Sequence, residues 1–349
     1  MPRPPRAGHL TAGAAIVAGL AIAGCGTPLL SPVGTAAAPA TPAPGAQPSS
    51  RGAGPTRPLA PLTGLPVARA ADAARPAVAL DIAGGDPRGL GSADVVFEEI
   101  ASPVRYIAVY QSREASGIGP IAATQPTDRA VLDVLHPLLG YDGSAAAYFI
   151  RLLDKTKIID AGFDHHPALY ATTAGGLTTS TRAITRAAAG GAVPPPLFYY
   201  RNTGVVGGTL ASSGQSRHTS VRLTIPGAGT QDWTFDKRTD RWALRRGGPA
   251  VQAANLVVQM VRYKQINISP RRGVVVPTAE VTGSGRTEVF SGSAGGGTGG
   301  TVAAGTWSKP HLDELTNYFD SGGGLMAFQP GPTWVILAPP GTRITAAGA

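Results

Sequence analysis

Between Arg75 and Gln125 three strand-like segments follow one another, and this run constrains the fold more than any other stretch of the chain. Ala77–Ile82, Ala93–Ile100 and Tyr106–Gln111 are short, rich in Val, Ile, Phe or Tyr, and bounded by Gly, Pro or Ser clusters. Gly119-Pro120 closes the run, and apolar residues then recur at helical spacing. Val131, Leu132, Val134, Leu135 and Leu138 predict a helix from Asp128 to His136, capped by Thr127 and stopped by Pro137 and Gly140. A second helix is expected from Ser144 to Leu153, and a third from Thr181 to Ala189 before Gly190-Gly191.

The character changes near residue 192. Leu197–Tyr200 is expected as an aromatic strand after three prolines, and residues 202–216 as a Gly/Ser-rich loop. Further strands are expected at Thr219–Ile225, Asp232–Phe235 paired with Arg241–Arg245, Asn255–Tyr263, Gly273–Val276 and Thr287–Phe290. Leu325–Gln329 and Thr333–Leu337 flank the turn Pro330-Gly331-Pro332, and residues 291–301 are a Gly-rich loop with no phosphate-loop sequence after it. The expected class is α+β: a mixed α/β domain over residues 61–215 followed by a β-rich domain over 216–349.

The amino-terminal end is a targeting segment. Arg3 and Arg6 precede the apolar stretch Leu10–Ala23, which is short for a membrane span and right for a signal peptide. The stretch ends on Ile22-Ala23-Gly24-Cys25, which resembles a bacterial lipobox; that resemblance implies diacylglyceryl transfer to Cys25, cleavage after Gly24 and acylation of the new amino terminus. Cys25 is the only cysteine, so no internal disulfide and no multi-cysteine metal site can form. Two or more acyl chains would make release from a membrane slow. Residues 1–24 carry two arginines and no acid, so cleavage would leave 325 residues with a net charge of +7. Those charges are scattered, and nucleic acid is not an expected partner. Residues 25–60 hold many prolines and no aromatic residue, and are expected as a disordered tether whose ends lie roughly 30–35 Å apart.

Signatures of metalloproteases, serine hydrolases, penicillin-binding enzymes and dinucleotide binding are absent from the sequence. Three constellations remain. Asp94, Glu98 and Glu99 gather around one strand, where Glu98 and Glu99 must face opposite sides; two carboxylates suit glycoside hydrolysis, and a solvated strand end or a partner for Arg105 is the simpler use. Asp164, His165 and His166 precede Pro167 and could move a proton, although adjacent histidines suit one metal ion poorly. Trp307 and Trp334, with Phe328, could line a glycan-binding groove or pack in the core. No cofactor and no metal is expected.

The order of segments resembles the YerB-like bacterial lipoproteins, a two-part family of unestablished function. The similar pieces run from Pro61–Val67 and Arg75-Pro76 through Gly89–Glu98, Arg105–Tyr110, Gly119-Pro120-Ile121, Gly143-Ser144 and Leu169-Tyr170. They continue through Phe235–Arg245, Asn255–Val258, Gly283–Val289, Gly305-Thr306-Trp307 and Gly331–Leu337. The resemblance implies polar residues at places where this chain has Ala83, Ala122, Gln125 and Ala168. Glu98 and Arg105 are what it leaves to carry over, and they are expected to pair. The combined expectation is a lipid-anchored, extracytoplasmic, non-catalytic module that binds a cell-wall polymer or an envelope protein. The alternatives are a hydrolase of a wall glycan or phosphoester, using Glu98 or Asp164 with His165 or His166, and a carrier of an apolar ligand.

Overall fold

The computed structural model describes residues 57–101, 103–143, 153, 155–187, 190–201, 216–244, 251–269, 273–293 and 297–348. The expected helix at Ser144–Leu153 and the tether at 25–60 lie almost wholly outside them. In chain order the first part carries β1 (Val78–Ala83), β2 (Val95–Glu99), β3 (Arg105–Tyr110), β4 (Leu138–Gly140), β5 (Ile159–Asp160), β6 (Tyr170–Thr173) and β7 (Gly176–Thr179). The second part carries β8 (Arg217–His218), β9 (Ser220–Ile225), β10 (Gly229–Asp236), β11 (Arg241–Leu244), β12 (Val251–Ala253), β13 (Asn255–Met260) and β14 (Tyr263–Ser269). It continues with β15 (Val274–Ala279), β16 (Gly283–Ser291), β17 (Gly300–Lys309), β18 (Asn317–Asp320), β19 (Thr333–Ala338) and β20 (Arg343–Ala347). Against these strands the described residues hold only short α-helices, Ala70–Ala73, Pro126–Leu132 and Thr181–Ala187, so the fold is β-rich.

Both parts contribute to one large sheet, in the order β18-β17-β16-β13-β19-β2-β3-β1-β4-β5, with β8 on the edge of β17. The join is the parallel pair β19 and β2, in register from Thr333 opposite Val95 to Leu337 opposite Glu99. Residues 54–349 form a single unit, so the expected boundary at 215/216 separates two stretches of sequence that share a sheet. Because both faces of this sheet are covered, its central strands read as unbroken apolar runs: VALDIA in β1 and TWVILA in β19.

Alternation sorts the side chains into two cores. Leu80, Ile82, Val96, Ala108, Val258 and Ile336 pack with Val221, Leu223, Trp233 and Trp242 of the five-stranded sheet β12-β11-β10-β9-β20. Ala79, Val95, Phe97, Ile107, Val109 and Val335 pack with Val131 and Leu132 of the Pro126 helix, with Ile268 and Ala279 of the β14–β15 hairpin, and with Phe198 and Phe328. Each such aliphatic side chain contributes about 1.5–3 kcal/mol when fully buried.

Several expectations are corrected. The Pro126 helix starts earlier than predicted, with Pro126 in its first turn, and becomes a 3-10 turn at Asp133–Leu135 before Pro137. Asp128, not Thr127, closes its first turn by accepting from the Gln125 amide at 2.5 Å. Leu197–Tyr200 and Leu325–Gln329 are irregular segments joined by the single bridge Tyr200–Phe328, because β19 takes β13 and β2 as partners instead of a hairpin neighbour. The expected Gly-rich loop ends in β17, which pairs with β16 over nine residues from Thr301 to Lys309.

Since β2 and β19 each lack a neighbour without the other part, residues 57–215 or 216–349 expressed alone should show no cooperative thermal transition by circular dichroism. A sharp transition in either fragment would show that the parts fold independently.

Candidate functional site

Glu98 and Glu99 are consecutive in β2 and both are fully buried, one in each core. Register decides their partners. Glu99 lies directly opposite Arg105, whereas Glu98 lies opposite Tyr106. The expected Glu98–Arg105 pair is therefore not formed: Arg105 Nε donates to Glu99 at 2.5 Å, on the opposite face of the sheet from Glu98.

Arg105 sits among three carboxylates. Its Nη1 donates to Asp81 at 2.9 Å, and its Nη2 donates to Asp128. Asp81 shares this face because it pairs with Ile107, two residues along β3 from Arg105. Thr124 donates to Asp128 at 2.7 Å and Thr127 donates to Glu99. The Thr127 hydroxyl also accepts from the Ala279 amide at 3.0 Å, tying β15 of the second part into the cluster. Burial drives the Asp81 carboxyl well above the usual range, with Asp128 adding to the rise and Arg105 opposing it. Burial also raises Glu99 against the pull of Arg105. For Arg105 burial alone would lower the pKa, but Asp128, Glu99 and Asp81 outweigh it and hold the guanidinium charged.

On the other face Glu98 accepts from Gln231 Nε2 at 2.6 Å and from Trp334 Nε1 at 2.9 Å. Trp334 meets Tyr106 and Trp233 edge to face, each with centroids 5.6 Å apart. The third member of the expected acidic group, Asp94, is buried elsewhere and accepts from the Gln111 and Ser112 amides, both at 2.6 Å. None of the three carboxylates is a solvated strand end, since all are buried.

The aromatic groove is also corrected. Trp307, Trp334 and Phe328 are 2%, 4% and 1% exposed. Trp307 donates to the Met260 carbonyl at 2.9 Å and lies opposite Gly285, where a Cβ would come within 2.6 Å of its ring nitrogen.

The accessible candidate site lies at the carboxyl ends of the parallel strands β1, β4 and β5. Asp142, Asp164 and His165 are exposed there, and His166 is half-buried at the start of the Pro167–Leu169 turn. His165 Nδ1 contacts Asp160 Oδ2 at 2.5 Å, so its carboxylate partner is Asp160 and not Asp164. Asp160 also accepts from the Tyr141 hydroxyl at 2.9 Å and the Gly162 amide at 2.8 Å. Burial pushes Asp160 up, but Gly162, His165 and Tyr141 together hold it below its ordinary value. Asp142 is raised, by burial first and then by Asp164. Gly162 is required because a Cβ would meet the Tyr141 ring at 2.3 Å. Two of the positions where the family resemblance implies polar side chains border this place: Ala122 accepts from the Asp142 amide and donates to the Asp81 carbonyl, and Ala83 donates to the Pro120 carbonyl. An imidazole oriented by one carboxylate can relay a proton, and among the described residues no group of three or more ligands is arranged to hold a metal.

Sequence reasoning missed Asp81, Asp128 and Asp160. Asp81 had a signal, a carboxylate inside an apolar run; Asp160 had none, since its strand is two residues long. It also missed Lys309, 2% exposed at the end of β17, whose amine donates to the Glu314 carbonyl and whose pKa burial lowers to about 8.

The fold and these sites define a β-rich protein in which two sequence segments complete one sheet around a buried ionic cluster. Residues 62–187 match the N-terminal domain, and residues 221–335 the C-terminal domain, of the family described as protein of unknown function (DUF3048). The chain belongs to this YerB-like DUF3048 family. The crystal structure of YerB protein from Bacillus subtilis superimposes with a TM-score of 0.65 at 17% identity, over 83% of this chain and all of that one, a likeness of fold. No curated protein matches the chain.

Arg105→Met should destabilise the protein by about 3–5 kcal/mol in urea unfolding, since it leaves three buried carboxylates without a cation. Arg222→Met, which breaks an ion pair between side chains 64% and 59% exposed, should leave the unfolding midpoint nearly unchanged. Asp81 and Glu99 bind protons more tightly when folded, so their contribution is complete below the ordinary carboxylate range and is lost as pH rises through their elevated values. Asp81→Asn should flatten that decline, and an unchanged stability-versus-pH profile would show that Asp81 does not hold the proton.

Proposed function

We propose that the chain is a lipid-anchored, extracytoplasmic lipoprotein that serves as a non-catalytic binding or accessory module of the cell envelope. The observation that carries this reading is Ile22-Ala23-Gly24-Cys25 at the end of an apolar stretch, with Cys25 the only cysteine in the sequence. A lipid on Cys25 gives that residue a use that a lone exported thiol lacks. Supporting the non-catalytic part, Glu98, Glu99 and Arg105 are all within the cores and hydrogen-bonded to protein groups. The finer reading of residues 61–215 as a mixed α/β part is supported by the helices Pro126–Leu132 and Thr181–Ala187 beside the parallel strands β1, β4 and β5.

A second reading, a carrier of an apolar ligand, is favoured by a cavity of about 380 Å³ bordered by Leu59, Pro61, Leu197, Phe198, Tyr200 and Leu315. That volume suits a small hydrophobic molecule.

Mass spectrometry of the mature amino terminus should find residue 25 first, carrying a diacylglyceryl group and an amide-linked acyl chain. Cys25→Ala should move the protein from the membrane pellet to the soluble fraction. An unmodified thiol, or a different first residue, would sink the anchor reading.

A further inference from the structure

We propose that the cleft between the Thr181–Ala187 helix and the ends of β1 and β3 is an anion site for a phosphate ester carrying two or more negative charges. The cleft has a volume of about 300 Å³ and is lined by Arg75, Arg113, Arg182 and Arg186 against one acid, Glu114.

The four guanidinium groups fall into two kinds. Arg75 and Arg113 are held in place. Arg75 donates to Asp72 at 2.7 Å and to the Ser112 carbonyl at 3.4 Å. Arg113 donates to the carbonyls of Ser92 at 3.2 Å and Gly91 at 3.4 Å. Arg182 and Arg186 are exposed, one helical turn apart, with no hydrogen-bond or ion-pair partner among the described residues. Like charges at this spacing weaken a helix, so the pair opposes the stability of the element that carries it. The positive field extends beyond the cleft to Arg241, whose guanidinium is lowered by burial first and by Arg113 second.

A cleft whose charged wall is predominantly positive concentrates anions. Guanidinium forks bind phosphate oxygens in pairs, and the held arginines have already lost part of their side-chain freedom. A monoanion would leave most of the charge unmatched. A phosphodiester-linked polyol carries successive phosphates, so one can meet the held pair and another the free pair. Nucleic acid fits poorly, because single-strand binding uses exposed aromatic platforms and the ring in this wall, Tyr110, is buried with its hydroxyl on the Gly89 carbonyl. Choosing an envelope polymer as the source of the ligand rests on the lipoprotein reading; the affinity of the cleft for phosphate esters does not.

The test uses the full chain in nonionic detergent, titrated calorimetrically with inorganic pyrophosphate. One site is expected, weakening with added salt, with affinity reduced about tenfold or more in Arg182→Gln/Arg186→Gln. Arg222→Gln/Arg262→Gln removes the same charge from exposed ion pairs elsewhere and should bind like wild type. Neither double variant should lower the Tm appreciably, and Arg182→Gln/Arg186→Gln should raise it slightly as the like-charge pair is relieved. No pyrophosphate binding, or an equal loss in both doubles, overturns the proposal. Vesicles of phosphatidylglycerol form the second arm and should be displaced by pyrophosphate. Vesicle binding that needs Arg182 and Arg186 while pyrophosphate does not bind would overturn it in favour of a membrane-facing surface. A mature terminus without lipid would remove the lipoprotein reading and leave the calorimetry intact.

Discussion

Arg105 is the cation on which the centre of this molecule depends. It is 3% exposed, and its three partners Asp81, Glu99 and Asp128 are fully buried. One positive charge cannot balance three ionised carboxylates away from water, so the cluster retains protons that a solvated group would release. Burial raises Asp81 and Glu99 more than Arg105 lowers them. The same guanidinium organises sequence-distant elements: β1, β2 and the Pro126 helix each supply one carboxylate. Thr127 extends the cluster to β15 through the Ala279 amide. Replacing such a cluster with apolar groups can be neutral, whereas removing only the cation is costly.

The second consequence of β2 is geometric. Two adjacent glutamates on a strand must point to opposite faces, and here each face is a core. Glu99 therefore fastens the helical layer, while Glu98 fastens the five-stranded sheet through Gln231 and the indole of Trp334. A dipeptide that looks like a solvated acidic end is the rivet of a three-layer arrangement. It also accounts for Trp334, which gives its N–H to a buried carboxyl group and meets the rings of Tyr106 and Trp233 edge to face.

Much of this was legible in the residues, and the remainder was not for identifiable reasons. The first three strands lie within two residues of their expected ends, since short β-branched runs between Gly and Pro clusters leave few alternatives. Period two gave the opposite orientation of Glu98 and Glu99. It could not say which of them meets Arg105, because that depends on pairing register, which one sequence does not carry. The tryptophans were ambiguous because burial of an indole depends on which strands meet above it. β17 was partly hidden behind a Gly-rich entry, and the irregular Leu197–Tyr200 and Leu325–Gln329 have strand-like composition without ladder partners. His165 has a carboxylate beside it, but that carboxylate comes from Asp160 of β5 and not from the neighbouring Asp164 that the sequence suggests.

The pairing of β2 with β19 has a consequence for how the chain comes into being. Trp334 and Glu98, which meet across that join, stand 236 residues apart in sequence. Closing a loop of that length is slow compared with forming a hairpin. During synthesis the early strands must therefore wait with one flank open until nearly the last segment has emerged. For that interval the nascent chain remains threadable and vulnerable, so its fate depends on whatever shields an unfinished sheet.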